Sequence, residues 1–279
     1  MLSFFILRMD DKNVEVRFFD NSLKELSDDI DLSSQRSFLY GDGHFTTAKV
    51  IDGKIEHLEL HISRLNKANK ALKFNPLIWH KLQSLLENTA IDLSSGVIKV
   101  QISRGMSQRG YGNLAQTQPL IIVSSSSIEP SWFKEQQQPM DLPIAQTRLG
   151  IQPLLAGMKH CNRLEQVIIA QEIEQQNWQD ALVLDIHDHV IETNKANVFW
   201  YDGKQWFTPS LENSGVEGVQ RQFILDNVDV KITNVTIQDM LNSVVAMFVC
   251  NSLIGIKAIN KVGDKSLSLA PVEKIRVLL

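Results

Sequence analysis

Lys159 stands two places past a glycine in GMKHCNRLEQ, Gly157 to Gln166, behind apolar Pro153, Leu154, Leu155 and Ala156 and just ahead of a helical pattern. Taken alone it reads as a solvated loop lysine, the usual state of that residue type. A desolvated amine at the same place could act as nucleophile or base. Glu192 closes the apolar run VIET at the end of a strand pair. On the surface such a carboxylate needs nothing, but buried it requires a partner. In GVEGVQRQ a glycine-rich turn leads into a helix start, and a helix start presents free N–H groups to an anion. Most such turns bind nothing.

Other chemistry-bearing combinations are weaker. His160 and Cys161 adjoin Lys159, yet neighbours on a chain usually point apart, which disfavours a Cys/His nucleophile pair. His187 and His189 fall in a predicted turn and read as solvent-facing rather than as metal ligands. No metal is expected. RGMSQRGYG, Arg104 to Gly112, lacks the Lys-Ser/Thr ending of a phosphate loop and reads as a mobile hairpin loop.

The elements that must position these residues follow from the hydrophobic periods. IKVQIS alternates Ile98, Val100 and Ile102 with Lys99 and Gln101, the pattern of a half-buried strand. Upstream, Leu58, Ile62, Leu65 and Leu72 fall at helical spacing with Arg64 among the polar positions, and a second helix is predicted from Leu77 to Glu87 after Pro76. LIIVS runs into Ser124 to Ser127, Pro130 and KEQQQP, the best linker candidate. Beyond it, Arg163 to Gln176 is amphipathic through Leu164, Val167, Ile168 and Ile173, ALVLD and VIET flank a turn, and NVFWYDGKQWFTP is a hairpin with its turn at Asp202 and Gly203. VVAMFVCNSLIGI reads as a buried strand that turns at Asn251 and Ser252. The reading is two mixed α/β domains, residues 1–126 and 127–279.

The totals agree with an ordered, soluble protein. A chain of 279 residues with 43% hydrophobic and 22% charged residues is long enough for a sizeable core. A net charge of -4 gives no basic field, which argues against nucleic acid and favours small-molecule partners. The apolar start Leu2 to Leu7 is too short for a signal peptide or a membrane span. Two cysteines make no disulfide framework, so reduced thiols and a cytoplasmic location are expected.

Combined, the lysine ahead of a helix, the carboxylate at a later strand end, the glycine-led helix start and the upstream arginine gain weight. Together with YGDGHFTTAKVIDGK, HISRLNKA, ISRGMSQRGY, KHCNRLEQV, DALVLD, VIETNKANVFW and GVEGVQRQF, they resemble the fold-type IV pyridoxal-phosphate enzymes. That group holds the branched-chain and D-amino-acid aminotransferases and the aminodeoxychorismate lyases, and the motifs look most like the lyases. The resemblance runs from about Tyr40 to about Ser252. It implies a small N-terminal α/β domain, a larger C-terminal cofactor-binding domain, pyridoxal 5'-phosphate as cofactor and a homodimer.

Carried over by position, the resemblance implies that Lys159 bonds the cofactor covalently and Glu192 holds its pyridine nitrogen. Arg64, the backbone N–H groups of Val219 and Gln220, and more loosely Ser252 would hold the phosphate. Arg109, Tyr111, Asn251 and Thr47 would line the substrate pocket. Asn162, Arg163 and Glu165 match the lyase run after the lysine. Tyr111 and Phe45 stand where the D-amino-acid branch has histidine and tyrosine, which disfavours that branch. The implied reaction converts 4-amino-4-deoxychorismate to 4-aminobenzoate and pyruvate in folate synthesis. The alternatives are a branched-chain or D-amino-acid aminotransferase and, more remotely, a non-catalytic binding protein on the same scaffold.

Overall fold

The computed structural model describes residues 14–27, 30–107, 110–112 and 114–279, and over these the chain is a mixed α/β protein of two compact units. The N-terminal unit holds the described residues up to Trp132 together with Lys159–Asn162, and the C-terminal unit holds Phe133–Met158 and Arg163–Leu279. The tetrapeptide that carries Lys159 thus packs with the N-terminal unit although the chain on both sides of it belongs to the other.

The N-terminal unit contains β1 (Val14–Phe19), α1 (Arg36–Tyr40), β2 (Gly43–Ile51), β3 (Lys54–Ile55), α2 (Leu58–Ala71), α3 (Trp79–Leu93), β4 (Gly96–Ser103) and β5 (Leu120–Ser127). Its five strands form an antiparallel sheet in the order β1-β5-β4-β2-β3. As the alternation in IKVQIS requires, Ile98, Val100 and Ile102 are buried in the core with Leu65, Leu82 and Leu86 of the helices. The buried residues of α2 include Leu58, His61, Leu65 and Ala68, a stripe at helical spacing that admits a histidine where the sequence pattern suggested Ile62. Helix α3 starts later and runs further than the predicted Leu77 to Glu87, because Ala90 is also fully buried.

The serine run is strand rather than linker. Ser124–Ser126 pair with β1 on one side, and Ser124–Ser127 pair with β4 on the other. Both neighbours take up the backbone hydrogen-bonding groups, so the small polar side chains do not break the ladder. The chain leaves this unit through α4 (Pro130–Glu135).

The C-terminal unit continues with β6 (Met140–Leu142), β7 (Ile144–Leu149), α5 (Leu164–Gln175), β8 (Leu182–Asp185), β9 (Val190–Thr193), β10 (Asn197–Tyr201), β11 (Trp206–Pro209), α6 (Val219–Asn227), β12 (Val230–Thr233), α7 (Ile237–Ser243), β13 (Ala246–Asn251), β14 (Gly255–Val262), β15 (Lys265–Ser266) and α8 (Ala270–Leu278). The main sheet runs β15-β14-β13-β10-β9-β8-β7, with β11 and β12 attached beside β10 and β6 beside β14. The strands of VIET, NVFWY and AMFVCN are almost wholly buried. The face that α5 buries is Ile169 and Ile173, while Leu164, Val167 and Ile168 lie exposed.

Candidate functional site

In the N-terminal unit, Lys159 is tied to β2 by its backbone: its carbonyl accepts from Phe45 N at 2.9 Å, and Cys161 N donates to Gly43 O at 2.8 Å. The Lys159 ammonium lies 4.9 Å from the centre of the Phe45 ring, and Lys99, which is in register with Thr47, places its own ammonium 5.0 Å from the same ring. Each cation over an aromatic face gains a modest attraction. Because side chains alternate along a strand, Phe45 and Thr47 share one face of β2, and His44 and Thr46 the other.

That second face meets α2. Arg64 donates from Nη2 to Thr46 Oγ1, and Thr46 Oγ1 is 2.6 Å from His61 Nδ1. The Nε of Arg64 is buried and has no hydrogen-bond partner among the described residues. Burial draws the Arg64 guanidinium down to about 10. His61 sits well below the usual imidazole range, first through burial and then through the Arg64 charge, and burial holds His44 down to about 4.

A third group holds Ser107, Gly110 and Tyr111 after β4. Arg36, 3% exposed, donates to Asp42 at 2.8 Å, to Ser107 Oγ at 2.7 Å, and to the carbonyls of Gly110 and Tyr111 at 3.1 and 3.0 Å. Arg104 donates to the same Asp42 oxygen at 2.7 Å. Tyr111 is exposed and packs edge-on against Tyr40. Arg109 lies outside the described residues.

In the C-terminal unit, Glu192, the penultimate residue of β9, is almost fully buried, and its Oε2 accepts from Val216 N at 2.9 Å. Asn197, its cross-strand neighbour on β10, donates to Val216 O at 2.8 Å and accepts from Gly218 N at 3.1 Å. A Cβ on Gly218 would come within 2.1 Å of Asn197 Oδ1, so this close approach requires glycine. The loop is held from its other side by Gly157, whose N–H donates to Gly215 O and whose carbonyl accepts from Glu217 N, both at 3.0 Å. Lys159 follows Gly157 by two residues.

Gly218 caps α6 with no side-chain hydrogen bond. The N–H groups of Val219 and Gln220 therefore stand at a helix start where no side chain of the cap satisfies them. Asn251 spends its amide on structure: Oδ1 accepts from Leu253 and Ile254 N, and Nδ2 donates to Lys195 O. Ser252 lies in the turn that follows β13.

The lyase-like run after Lys159 fixes the loop on which that lysine sits. Asn162 Nδ2 donates to Gly41 O at 3.2 Å, Arg163 Nη2 to Met158 O at 3.2 Å, and Glu165 Oε1 accepts from Gly150 N at 2.9 Å. Within the N-terminal unit, then, Lys159 and Thr47 belong to one face of β2 and Arg64 meets the other through Thr46, while within the C-terminal unit Glu192, Val219, Gln220, Asn251 and Ser252 lie at one end of the strands. Sequence reasoning missed Asn197, His61 and the Arg36–Asp42–Arg104 cluster. Gly218, immediately before Val219, was the one available signal for Asn197.

These residues fit a phosphorylated aldehyde cofactor. A buried guanidinium with an orphaned Nε and an uncapped helix start are donors suited to a phosphate. A buried carboxylate suits a protonated ring nitrogen, and a lysine amine suits an aldehyde carbon.

Comparison with known proteins agrees with this chemistry. Residues 43–262 match the amino-transferase class IV family. The aminodeoxychorismate lyase of Vibrio harveyi is 36% identical over 86% of this chain and 88% of its own length. The aminodeoxychorismate lyase of Bacillus subtilis is 28% identical over 68% of this chain and 66% of its own. The crystal structure of 4-amino-4-deoxychorismate lyase from Pseudomonas aeruginosa superposes with a TM-score of 0.81 at 30% identity, covering 95% of this chain and 96% of that one. The chain belongs to the class IV aminotransferase family.

Proposed function

We propose that this protein is a pyridoxal-phosphate-dependent lyase that converts 4-amino-4-deoxychorismate to 4-aminobenzoate and pyruvate, a step that supplies folate synthesis. The observation that carries the reading is the match to the Vibrio harveyi lyase over most of both chains, at an identity above that of the aminotransferase relatives. The Asn162, Arg163 and Glu165 run around the candidate lysine supports it.

When bound, the cofactor supplies an electron sink for the charge left at the carbon next to nitrogen. Arg64 and the Val219 and Gln220 N–H groups hold the phosphate, with Ser252 as a further hydroxyl donor. Glu192 accepts from the ring nitrogen and keeps it protonated. Lys159 anchors the cofactor at rest. Once freed by an incoming substrate amine, the Lys159 Nζ would take the proton from the substrate carbon, so this one side chain would serve as nucleophile and then as base. Loss of the enolpyruvyl group leaves an aromatic ring, which makes the step strongly downhill. Thr47 and Tyr111 are the polar groups assigned to the substrate pocket, whereas the Asn251 amide is engaged by Lys195 O and by Leu253 N and Ile254 N of its own turn.

The proposal includes a homodimer in which Arg109 grips a substrate carboxylate in the other subunit, the geometry for which a forked guanidinium is suited. A cytoplasmic location also belongs to it. Among the described residues no helix is long and apolar enough to cross a membrane.

The test is to incubate the purified protein with pyridoxal phosphate and 4-amino-4-deoxychorismate and to measure 4-aminobenzoate and pyruvate, expected in equal amounts. Amino-group exchange with keto acids and no 4-aminobenzoate would establish the aminotransferase reading instead. Mixing Lys159→Ala with Arg109→Ala under subunit exchange tests the dimer: activity should return in part, and a mixture that stays inactive despite exchange refutes the shared site.

A further inference from the structure

We propose that Thr46 and His61 are positioning residues that hold the Arg64 guanidinium, through a two-bond relay, in the orientation in which it grips the cofactor phosphate. The inference rests on the reading of Arg64 as a phosphate ligand and assigns the residues that make it one.

The directions of the two bonds follow from the groups involved. A guanidinium has donors only, so in the Arg64 to Thr46 bond the hydroxyl oxygen must accept. Its single hydrogen is then left for His61 Nδ1, 2.6 Å away. His61 must present Nδ1 as an acceptor and carry its proton on Nε2. Nε2 is buried without a hydrogen-bond partner among the described residues, so the tautomer is assigned from the Thr46 bond alone. His61 is 1% exposed, and both burial and the Arg64 charge disfavour a second proton on the ring. Burial and the neighbouring charge thus favour the neutral ring, which leaves Nδ1 able to accept the hydroxyl hydrogen.

His61 and Arg64 lie on successive positions of one helix face in HISRL, and Thr46 is the inward residue of β2 opposite them. Helix and strand thus fix the head group from two sides. No ion pair to Arg64 exists among the described residues, and its Nε is buried without a partner. Orientation here comes from neutral groups, which leaves the charge for a ligand. A carboxylate in the place of Thr46 would orient the head group equally well but would compete with a phosphate for it.

The test compares two ligands that differ only in the phosphate. Full-length protein freed of cofactor is titrated with pyridoxal phosphate and with pyridoxal, and the ratio of their affinities is the readout. Wild type should prefer the phosphorylated ligand. Thr46→Val, which keeps the shape and removes the hydroxyl, should lower that preference about tenfold, the worth of one charge-assisted hydrogen bond, with pyridoxal affinity unchanged. Thr46→Ser should restore it. His61→Leu should match Thr46→Val, and the double variant should be no worse than either, because the two residues act in one relay.

An unchanged preference in Thr46→Val, or a parallel loss for both ligands, would overturn the relay while leaving Arg64 as a phosphate ligand. A wild-type protein without any preference would overturn the Arg64 reading itself, and the relay with it.

Discussion

Replacing Asn197 by alanine should destabilise the C-terminal unit by about 3 kcal/mol, and the figure can be built from its contacts. The Asn197 amide makes two hydrogen bonds to the loop before α6, to Val216 O at 2.8 Å and from Gly218 N at 3.1 Å. Neutral hydrogen bonds contribute about 1 kcal/mol each, and a buried polar group left unpaired costs about 1 kcal/mol or more besides. Val216 is 9% exposed, so its carbonyl has little access to water once the amide is gone. Two lost bonds and one stranded carbonyl give the total. Urea unfolding of the cofactor-free variant against wild type measures it, with Asn227→Ala as control. Asn227 also makes one side-chain bond, to Phe223 O, but in an exposed setting, and should change stability by less than about 0.5 kcal/mol. The loop freed in Asn197→Ala also carries the N–H that bonds Glu192, so cofactor affinity should fall along with stability. A change at Asn197 no larger than that of the control would show that the loop stands without the amide, and the reasoning would fail.

Borohydride reduction of the holoprotein followed by peptide mapping should place the cofactor on Lys159, and a label on any other lysine would remove that assignment. Glu192→Gln should keep its bond to Val216 N, because an amide oxygen still accepts, and should keep cofactor, yet lose most turnover since an amide cannot hold a ring nitrogen protonated; near-normal turnover would show that the electron sink is set elsewhere. Burial holds folded His44 near 4 while the unfolded ring titrates near 6.5. The unfolded chain therefore binds the proton first as pH falls, and this contribution to stability, complete above about 6.5, drains away down to about 4 by up to roughly 3 kcal/mol. His44→Gln should flatten that part of the stability profile, and an unchanged slope would refute the cause.

Much of the fold was legible because burial writes itself into sequence with a fixed period. Ile98, Val100 and Ile102 alternate and are buried alternately. The hairpin at Asp202 and the strand ending at Asn251 likewise fall where the apolar runs break. Periodicity failed where a small or polar residue does the packing. His61 occupies a core stripe on α2, and serines continue β5 because a strand needs partners for its backbone more than bulk in its side chains. On α5 the sequence shows more apolar residues than the unit buries: Ile169 and Ile173 point inward, and Leu164, Val167 and Ile168 do not.

The site was legible in a different way, as residue types in order rather than as geometry. Lys159, Glu192 and Arg64 announce chemistry by their type, and the motifs around them gave them roles. Asn197, Thr46 and Asp42 announce nothing, since their partners are backbone atoms or side chains brought close only by the fold. Comparing the enclosed arginines of the N-terminal unit shows what that hidden layer decides. Arg36 and Arg104 are 3% and 5% exposed, and both donate to the single carboxylate of Asp42. The two share that one negative charge, and further donors of both go to backbone carbonyls and a serine. Such a cluster ties the end of α2 and the backbone of Gly110 and Tyr111 to Asp42. Arg64 has a hydroxyl where the others have a carboxylate. Enclosing a guanidinium without a counter-charge is costly, and the lowered proton affinity of Arg64 records that cost. Arg64, with a neutral hydroxyl partner and no carboxylate beside it among the described residues, is the one of the three whose charge is open to an anion, and this supports its proposed role as phosphate ligand.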